Sequence, residues 1–453
     1  MIVPYDYQMS CMTDIQGLYR SGYRTPLLCS ATGSGKSAML GYMLEKTKKK
    51  TLILAHRSEL VHQISKSLPV KHALIMPGYP EADCQVSVGM MQTVSRRLDR
   101  LPQFDWVISD EAHLAMCPTW LKILQHYSSA WHLGMSASPC RLDGKGLGDF
   151  YDSIVYGPTI PFLIEGGFLV PVRVFAPNVN AGPIKMSGSD YSMGAAADAF
   201  GKPQIVGDAI KHVLKHAPDR LTIVFCCSRK HAEETAEAFT AAGLPAVNVD
   251  GALPHGERQK RIDAFRSGAI RVLTNVDLLT TGFDMPEIGA CVFLRPTCSL
   301  ALYIQMIGRI MRKFPGKRDA ILFDHANNVA RHGLPDAVRE WSLDGAAPKK
   351  KKNKDEPEAA SVRQCTECYC MHAPAPVCPE CGHVYPVKSR KVEQVDGELM
   401  ELDAATLERM RTAPLRQLLS GAQSREDLQR IAKVRGYKRG WVQHVQRERD
   451  ARR

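Results

Sequence analysis

The chain is 453 residues long, 44% hydrophobic and 23% charged, with a formal net charge of +12. At ~100–200 residues per domain this allows two to four domains with their own cores, and the composition excludes a disordered protein. No apolar run approaches the ~18–20 residues of a bilayer span and the first residues lack a signal core, so membrane insertion and secretion are not expected.

In chain order, short apolar runs at 26–30, 51–55, 85–88, 106–109 and 132–136 read as buried strands. Helical patterns at 37–48, 58–67 and 119–127 separate them, and this alternation predicts a parallel sheet covered on both faces. Residues 168–204 are rich in Pro, Gly and Ala, with a weak strand near 170–175, and read as a linker or excursion. A second alternating unit follows, with strands at 221–226, 246–250, 272–274, 290–294 and 320–324 and helices at 229–242, 257–266 and 299–311.

The expected organisation is therefore two α/β units at 1–167 and 205–345, a charged linker at 346–361, a cysteine segment at 362–388 and a basic helical tail at 400–453. From 346 to the end there are 22 Lys and Arg against 15 Asp and Glu. Such an excess suits either a solvated surface or a polyanionic partner. Five of the 14 cysteines crowd into 365–381 while the other nine are scattered, a distribution for a reducing compartment with one metal site.

The run ATGSGKS at 31–37 follows a predicted strand and opens a predicted helix, the context of a phosphate-binding loop. Its Thr32, Gly33, Ser34 and Gly35 would wrap phosphates with backbone N–H groups, Lys36 would reach the β- and γ-phosphates, and the Ser37 hydroxyl would bind Mg²⁺. Ser30 stands where the strict pattern has its first glycine.

Asp110 and Glu111 follow an apolar strand, where one carboxylate can hold Mg²⁺ and the next orient the attacking water. In QMIGRIMR at 305–312, helical spacing puts Gln305, Arg309 and Arg312 on one face. Those arginines are either solvated charges or fingers aimed at a γ-phosphate.

Cys365-x2-Cys368 and Cys378-x2-Cys381 are two knuckles nine residues apart, the ligand set of a tetrahedral structural Zn²⁺, with Cys370 or His372 as substitutes for a knuckle member. In the tail, Ser424 and Asp427 form a capping box. The stretch 435–441 interleaves basic residues with Tyr437 and Trp441, which suits stacking on single-stranded nucleic acid or a small helical core of Trp441, Val442 and Val445.

Together these motifs resemble the superfamily 2 DExH-type helicases over residues 1–335, and most closely the bacterial RadD-type and phage-borne members. The resemblance implies two tandem RecA-like α/β lobes with ATP between them, followed by a four-cysteine zinc ribbon and the basic tail. It assigns adenine reading to Gln8 and further nucleotide contacts to Gly282 and Asp284. Catalysis falls to Lys36, Asp110, Glu111, Arg309 and Arg312, with Mg²⁺ at Ser37 and Asp110. Coupling falls to His113, Ser136, Ser138 and Gln305, and nucleic-acid contact to Arg57, Thr93, Ser228 and Thr274.

The implied activity is ATP-driven translocation on DNA with unwinding or remodelling, in the cytoplasm. The implied partner is DNA, single-stranded or as a branched duplex, with no membrane. The alternatives are an RNA-dependent ATPase, an ATP-switched clamp, or the motor subunit of a nuclease. Ser138 replaces the family's usual Thr, and Ile310-Met311 replaces the common Gly-Leu or Thr-Gly between the arginines.

Overall fold

The computed structural model describes residues 3–80, 82–114, 117–141, 143–177, 182–276, 285–344, 362–385, 404–438 and 440–450. They fall into two compact units, 1–385 and 386–453.

In the first unit, seven strands form a fully parallel sheet in the order β3-β4-β2-β5-β6-β1-β7. They are β1 (Pro26–Cys29), β2 (Thr51–Ala55), β3 (His72–Ile75), β4 (Val86–Met90), β5 (Trp106–Asp110), β6 (Trp131–Ser136) and β7 (Ser153–Tyr156). The central strands β1 and β2 are buried at every residue, as expected where helices cover both faces of a parallel sheet. The edge strand β3 alternates between buried and half-buried positions.

The second sheet holds β8 (Val172–Phe175), β11 (Thr222–Phe225), β12 (Ala246–Asn248), β13 (Val272–Asn275), β14 (Ala290–Phe293), β15 (Ala320–Asp324), β16 (Arg363–Gln364) and β17 (Cys370–His372), in the order β12-β13-β11-β14-β15-β8-β17-β16. Between β8 and β11, β9 (Met186–Ser187) and β10 (Asp190–Tyr191) form a separate hairpin.

Three features depart from the sequence reading. The stretch read as a linker contains β8, which pairs in parallel with β15. The cysteine segment is not a separate module, because β17 runs antiparallel to β8 and, with β16 outside it, extends that edge of the sheet. The packing follows: Cys365, Cys370, Met371 and Cys378 belong to the same apolar core as β11, β14 and β15. Lastly, the helix expected to reach residue 311 ends at Gly308. Past it the chain turns out to meet the residues before β8, with the Val170 N–H donating to the Met311 carbonyl at 2.9 Å and Leu169 bridging Arg312. Arg312 is thus set by strand-like pairing and not by helix periodicity.

In the second unit, helices Leu415–Gly421, Arg425–Val434 and Trp441–Asp450 pack around Leu428, Ile431, Val442 and Val445. The Ser424 hydroxyl accepts from the Asp427 N–H at 3.1 Å while the Asp427 carboxylate accepts from the Ser424 N–H at 2.9 Å, the reciprocal capping box. Tyr437 and Trp441 pack on each other, ring centroids 4.7 Å apart, against this core.

Candidate active site

At the carboxyl end of β1 the chain makes a tight turn and enters helix Lys36–Lys46. Gly35 sits at φ 83°, a left-handed conformation that favours glycine, and a Cβ there would lie 2.2 Å from Gln8 Nε2. Gln8 braces the loop from behind: its Nε2 donates to the Ser34 carbonyl at 3.0 Å and its Oε1 accepts from the Tyr5 N–H at 3.0 Å. Tyr7 donates to the same Ser34 carbonyl at 3.0 Å. The Ser34 side chain is buried on Ser30 Oγ at 2.7 Å, so Ser34 offers the loop only its backbone. The Lys36 ammonium rests on the carbonyls of Ser30 and Ala31, at 2.8 and 3.2 Å. Burial lowers its pKa, opposed by the charges of Glu111 and Asp110.

Asp110 is the last residue of β5, and Glu111 follows at φ 50°, an uncommon backbone state for a residue with a side chain. Burial and the neighbouring Glu111 charge raise the Asp110 pKa. For Glu111, burial acts upward, but His113, Lys36 and Arg309 outweigh it and the pKa is lowered. Glu111 Oε2 lies 3.4 Å from His113 Nδ1 and, among the described residues, accepts no hydrogen bond. Glu111 also lines the cavity beside Lys36 and Asp110, which places a carboxylate where a water could be oriented.

The second sheet supplies the facing wall. Lys36, Ser37, Asp110, Glu111, Arg309 and Arg312 line one cavity of about 400 Å³. Burial lowers the pKa of both guanidinium groups to about 10, with Glu111 opposing, so both remain cationic at neutral pH. The two lobes touch here: a Cβ on Gly308 would sit 2.5 Å from Thr32 Cβ, and one on Gly33 would sit 2.8 Å from Leu169 Cδ2.

A directed chain of hydrogen bonds crosses the same interface. Gln305 Nε2 donates to His113 Nε2 at 2.7 Å, His113 Nδ1 donates to Ser136 Oγ at 3.0 Å, and Ser136 Oγ donates to the Ser138 carbonyl at 2.6 Å. This order requires a neutral His113, and burial does lower its pKa.

The other predicted contacts fare differently. Arg57 is half-buried at the start of helix Ser58–Ser67, and Thr93 is buried in helix Met91–Arg96. Ser228 Oγ caps its own helix by accepting from the His231 N–H at 3.2 Å. Thr274 is a correction: it is fully buried in β13 and donates to the Ala232 carbonyl at 2.7 Å, which leaves no surface for a nucleic acid. Gly282 and Asp284 lie outside the described residues.

Sequence reasoning missed Phe168, which lines the cavity, because it lies at the start of the supposed linker. It also missed the ion pair between Glu59 and Arg258, 3.3 Å, which joins the first lobe to the second. Gly308 did carry a signal, since a glycine inside a helix costs about 1 kcal/mol against Ala and marks a close approach.

The four knuckle cysteines bring their Sγ atoms within 4.8 Å of one another. Cys365–Cys381 and Cys368–Cys378 are each 3.7 Å apart, against the about 3.8 Å edge of a tetrahedron with metal–sulfur bonds near 2.3 Å. Cys370 turns to the Met371 carbonyl, and His372 is bonded to Tyr385 and to the Ala373 carbonyl, so neither joins the set. The donors fit a metal ion.

Two α/β lobes, one built on a parallel sheet and one on a sheet parallel except at its β17–β16 edge, meet over one cavity that each lines with charged side chains, which defines a two-lobed nucleoside-triphosphatase of the RecA-like class. Residues 1–141 match the family model described as the type III restriction enzyme res subunit, and residues 202–314 match the helicase conserved C-terminal domain. A 51.5 kDa protein of a Lactococcus phage is 33% identical over 391 residues, covering 84% of this chain and 83% of the phage protein. A Schizosaccharomyces pombe protein carrying the name of a mitochondrial ATP-dependent helicase, irc3, is 30% identical over 351 residues, 72% of this chain and 58% of its own. The DNA-bound structure of the ATP-dependent Type ISP restriction-modification enzyme LlaBIII shares the fold, with a TM-score of 0.53 at 16% identity over 71% of this chain and 27% of that one. The chain belongs to the DExH-type helicases of superfamily 2.

Proposed function

We propose that the chain is an ATP-dependent DNA translocase that unwinds or remodels DNA. The relay from Gln305 through His113 to Ser136 carries this reading, because it ties the water-orienting end of β5 to a helix of the other lobe. A lobe movement on DNA would break or make that relay, and hydrolysis would follow the grip. The net charge of +12 supports a polyanionic partner, and the DNA-bound restriction-modification enzyme of the same fold favours DNA over RNA.

Within this reading Lys36 and the backbone of the 31–37 loop hold the triphosphate, and the Glu111 carboxylate orients the attacking water. Arg309 and Arg312 stabilise the charge that develops on the transferring phosphoryl. Bound Mg²⁺ would neutralise phosphate charge from Ser37 and Asp110. The four cysteines would hold Zn²⁺ as a closed structural site. The scattered cysteines fit a reducing, cytoplasmic setting.

The test is steady-state ATP turnover with single-stranded DNA, duplex DNA and RNA side by side, combined with strand displacement on a forked DNA duplex. Stimulation by DNA with strand displacement supports the proposal. Stimulation by RNA alone would move the substrate to RNA, and turnover indifferent to any nucleic acid would remove the motor reading.

A further inference from the structure

The first lobe carries a second cavity at the end of its sheet remote from the nucleotide. Trp106 and Trp131 are the first residues of β5 and β6, whereas Asp110 at the other end of β5 lines the nucleotide cavity and Ser136 at the other end of β6 is bonded to His113. The cavity measures about 420 Å³, within the range of side-chain and ligand pockets. Its walls are apolar and aromatic: Met12 and Ile15 from helix Asp6–Arg20, Tyr42 and Met43 from helix Lys36–Lys46, and the two tryptophans. Its rim is cationic, formed by Lys46 and Lys49, with no acidic side chain among the lining residues.

The cations sit over rings and not against carboxylates. Lys46 Nζ lies 5.5 Å from the Tyr42 ring centroid, and Lys49 Nζ lies 5.8 Å from that of Trp131. Neither lysine forms an ion pair among the described residues, so their charge is available to a partner. The same packing argues against stacked bases. Trp131 already carries Arg24 over its face at 4.8 Å and Tyr19 edge-on at 4.6 Å. What stays open is the pocket between methionines, which adapt to an inserted side chain.

We propose that this cavity docks an acidic peptide segment of a partner protein, one that inserts a large apolar side chain between Met12, Met43 and Trp106 and sets carboxylates against Lys46 and Lys49. An apolar pocket with a like-signed charged rim is complementary to a segment of that composition and unfavourable for a basic one. The site is distinct from the nucleotide cavity, since the two share no lining residue.

The experiment uses the full chain and a fluorescein-labelled peptide of consecutive glutamates followed by Phe and Leu, read by fluorescence anisotropy. Saturable binding that falls by about tenfold or more, ~1.4 kcal/mol, in the double variant Lys46→Glu/Lys49→Glu is the expected result. Gln16→Trp, an exposed position on the cavity wall, should block insertion in the same way, with unchanged ATP turnover showing that the lobe is folded. A peptide with Ala in place of Phe and Leu should bind far more weakly. Absence of saturable binding, binding indifferent to both variants, or displacement of the peptide by a single-stranded oligonucleotide as effectively as by unlabelled peptide would each overturn the proposal.

Discussion

Gln305 and His113 lie on different lobes and are joined at 2.7 Å, with the amide donating and the imidazole accepting. The bond fixes which nitrogen of His113 carries its proton and passes that choice on to Ser136. Replacing Gln305 with Ala leaves His113 Nε2 buried without its donor, a loss of about 1–3 kcal/mol, or roughly five- to 150-fold. Basal ATP turnover should persist in Gln305→Ala while stimulation by DNA falls by that factor. Because burial lowers the His113 pKa, any titration of this histidine in the stimulated rate of the parent should lie below the ordinary value near 6.5. Steady-state turnover from pH 5.5 to 8 with and without DNA reads both, the pH limits being set about the ordinary histidine value.

Lys36 and Glu111 line the same cavity but do different things to the nucleotide. Lys36→Ala removes a charge-assisted contact to phosphate, so nucleotide affinity should fall by about ten- to a hundredfold along with turnover. Glu111→Gln keeps the shape and should bind nucleotide normally while turnover falls by ~10²–10⁴-fold. Fluorescent-nucleotide titration beside turnover separates the two, and equal losses of affinity in both variants would contradict the assignment.

Gly308 is where the second lobe presses on the phosphate loop. A methyl group there meets Thr32 Cβ at 2.5 Å, too close for a real contact, so Thr32 or the lobe that carries it must shift. Gly308→Ala should prop the cleft open and lower turnover by about tenfold, in line with an overpacking cost of about 1–3 kcal/mol. The thermal midpoint should change little, since the clash is between lobes and not within either core. A parent-like rate would show that the cleft need not close this far.

The cysteine segment is tied to the motor. Besides the β17–β8 pairing, Arg173 of β8 bonds Glu380, between Cys378 and Cys381, and also Asp319 at 3.4 Å. The reading of 362–388 as a segment apart from the two α/β units therefore does not fit the packing. Metal removal or Cys378→Ser should destabilise the second lobe. Losing about 3 kcal/mol of the ~10–16 kcal/mol that structural zinc contributes in isolated fingers would lower the midpoint by about 6–12 °C for a lobe of that size. Calorimetry with metal analysis reads this, and an unchanged midpoint in metal-free protein would argue that β17 stays in place without the ion.

The phosphate loop, the acidic pair and the cysteine knuckles were legible because each is a local pattern whose chemistry fixes residue type and spacing. Helix 58–67 and strands β2 and β15 were legible because their apolar residues are continuous or strictly periodic. What stayed hidden depends on pairing across long sequence separation. The four residues of β8 look like linker until β15 on one side and β17 on the other make them a sheet strand. The edge strands β3 and β7 have too few buried positions to stand out. The helix ending at Gly308 was overrun because Ile310 and Met311 continue its apolar pattern, although their burial comes from packing beside Leu169 and Val170. Thr274 is expected at a nucleic-acid contact, yet strand register turns its hydroxyl inward to a helix carbonyl.

The central claim is that the second lobe completes the hydrolytic site of the first, and Arg312 tests it most directly. It stands in the same buried cavity as Lys36 and Glu111, placed there by its bridge to Leu169. The measurement is steady-state ATP turnover of Arg312→Ala at saturating single-stranded DNA, beside nucleotide and DNA binding. The account predicts a rate lower by ~10³–10⁵-fold, with both binding affinities changed far less. A rate within about twofold of the parent, the effect of a solvated surface charge, would contradict it.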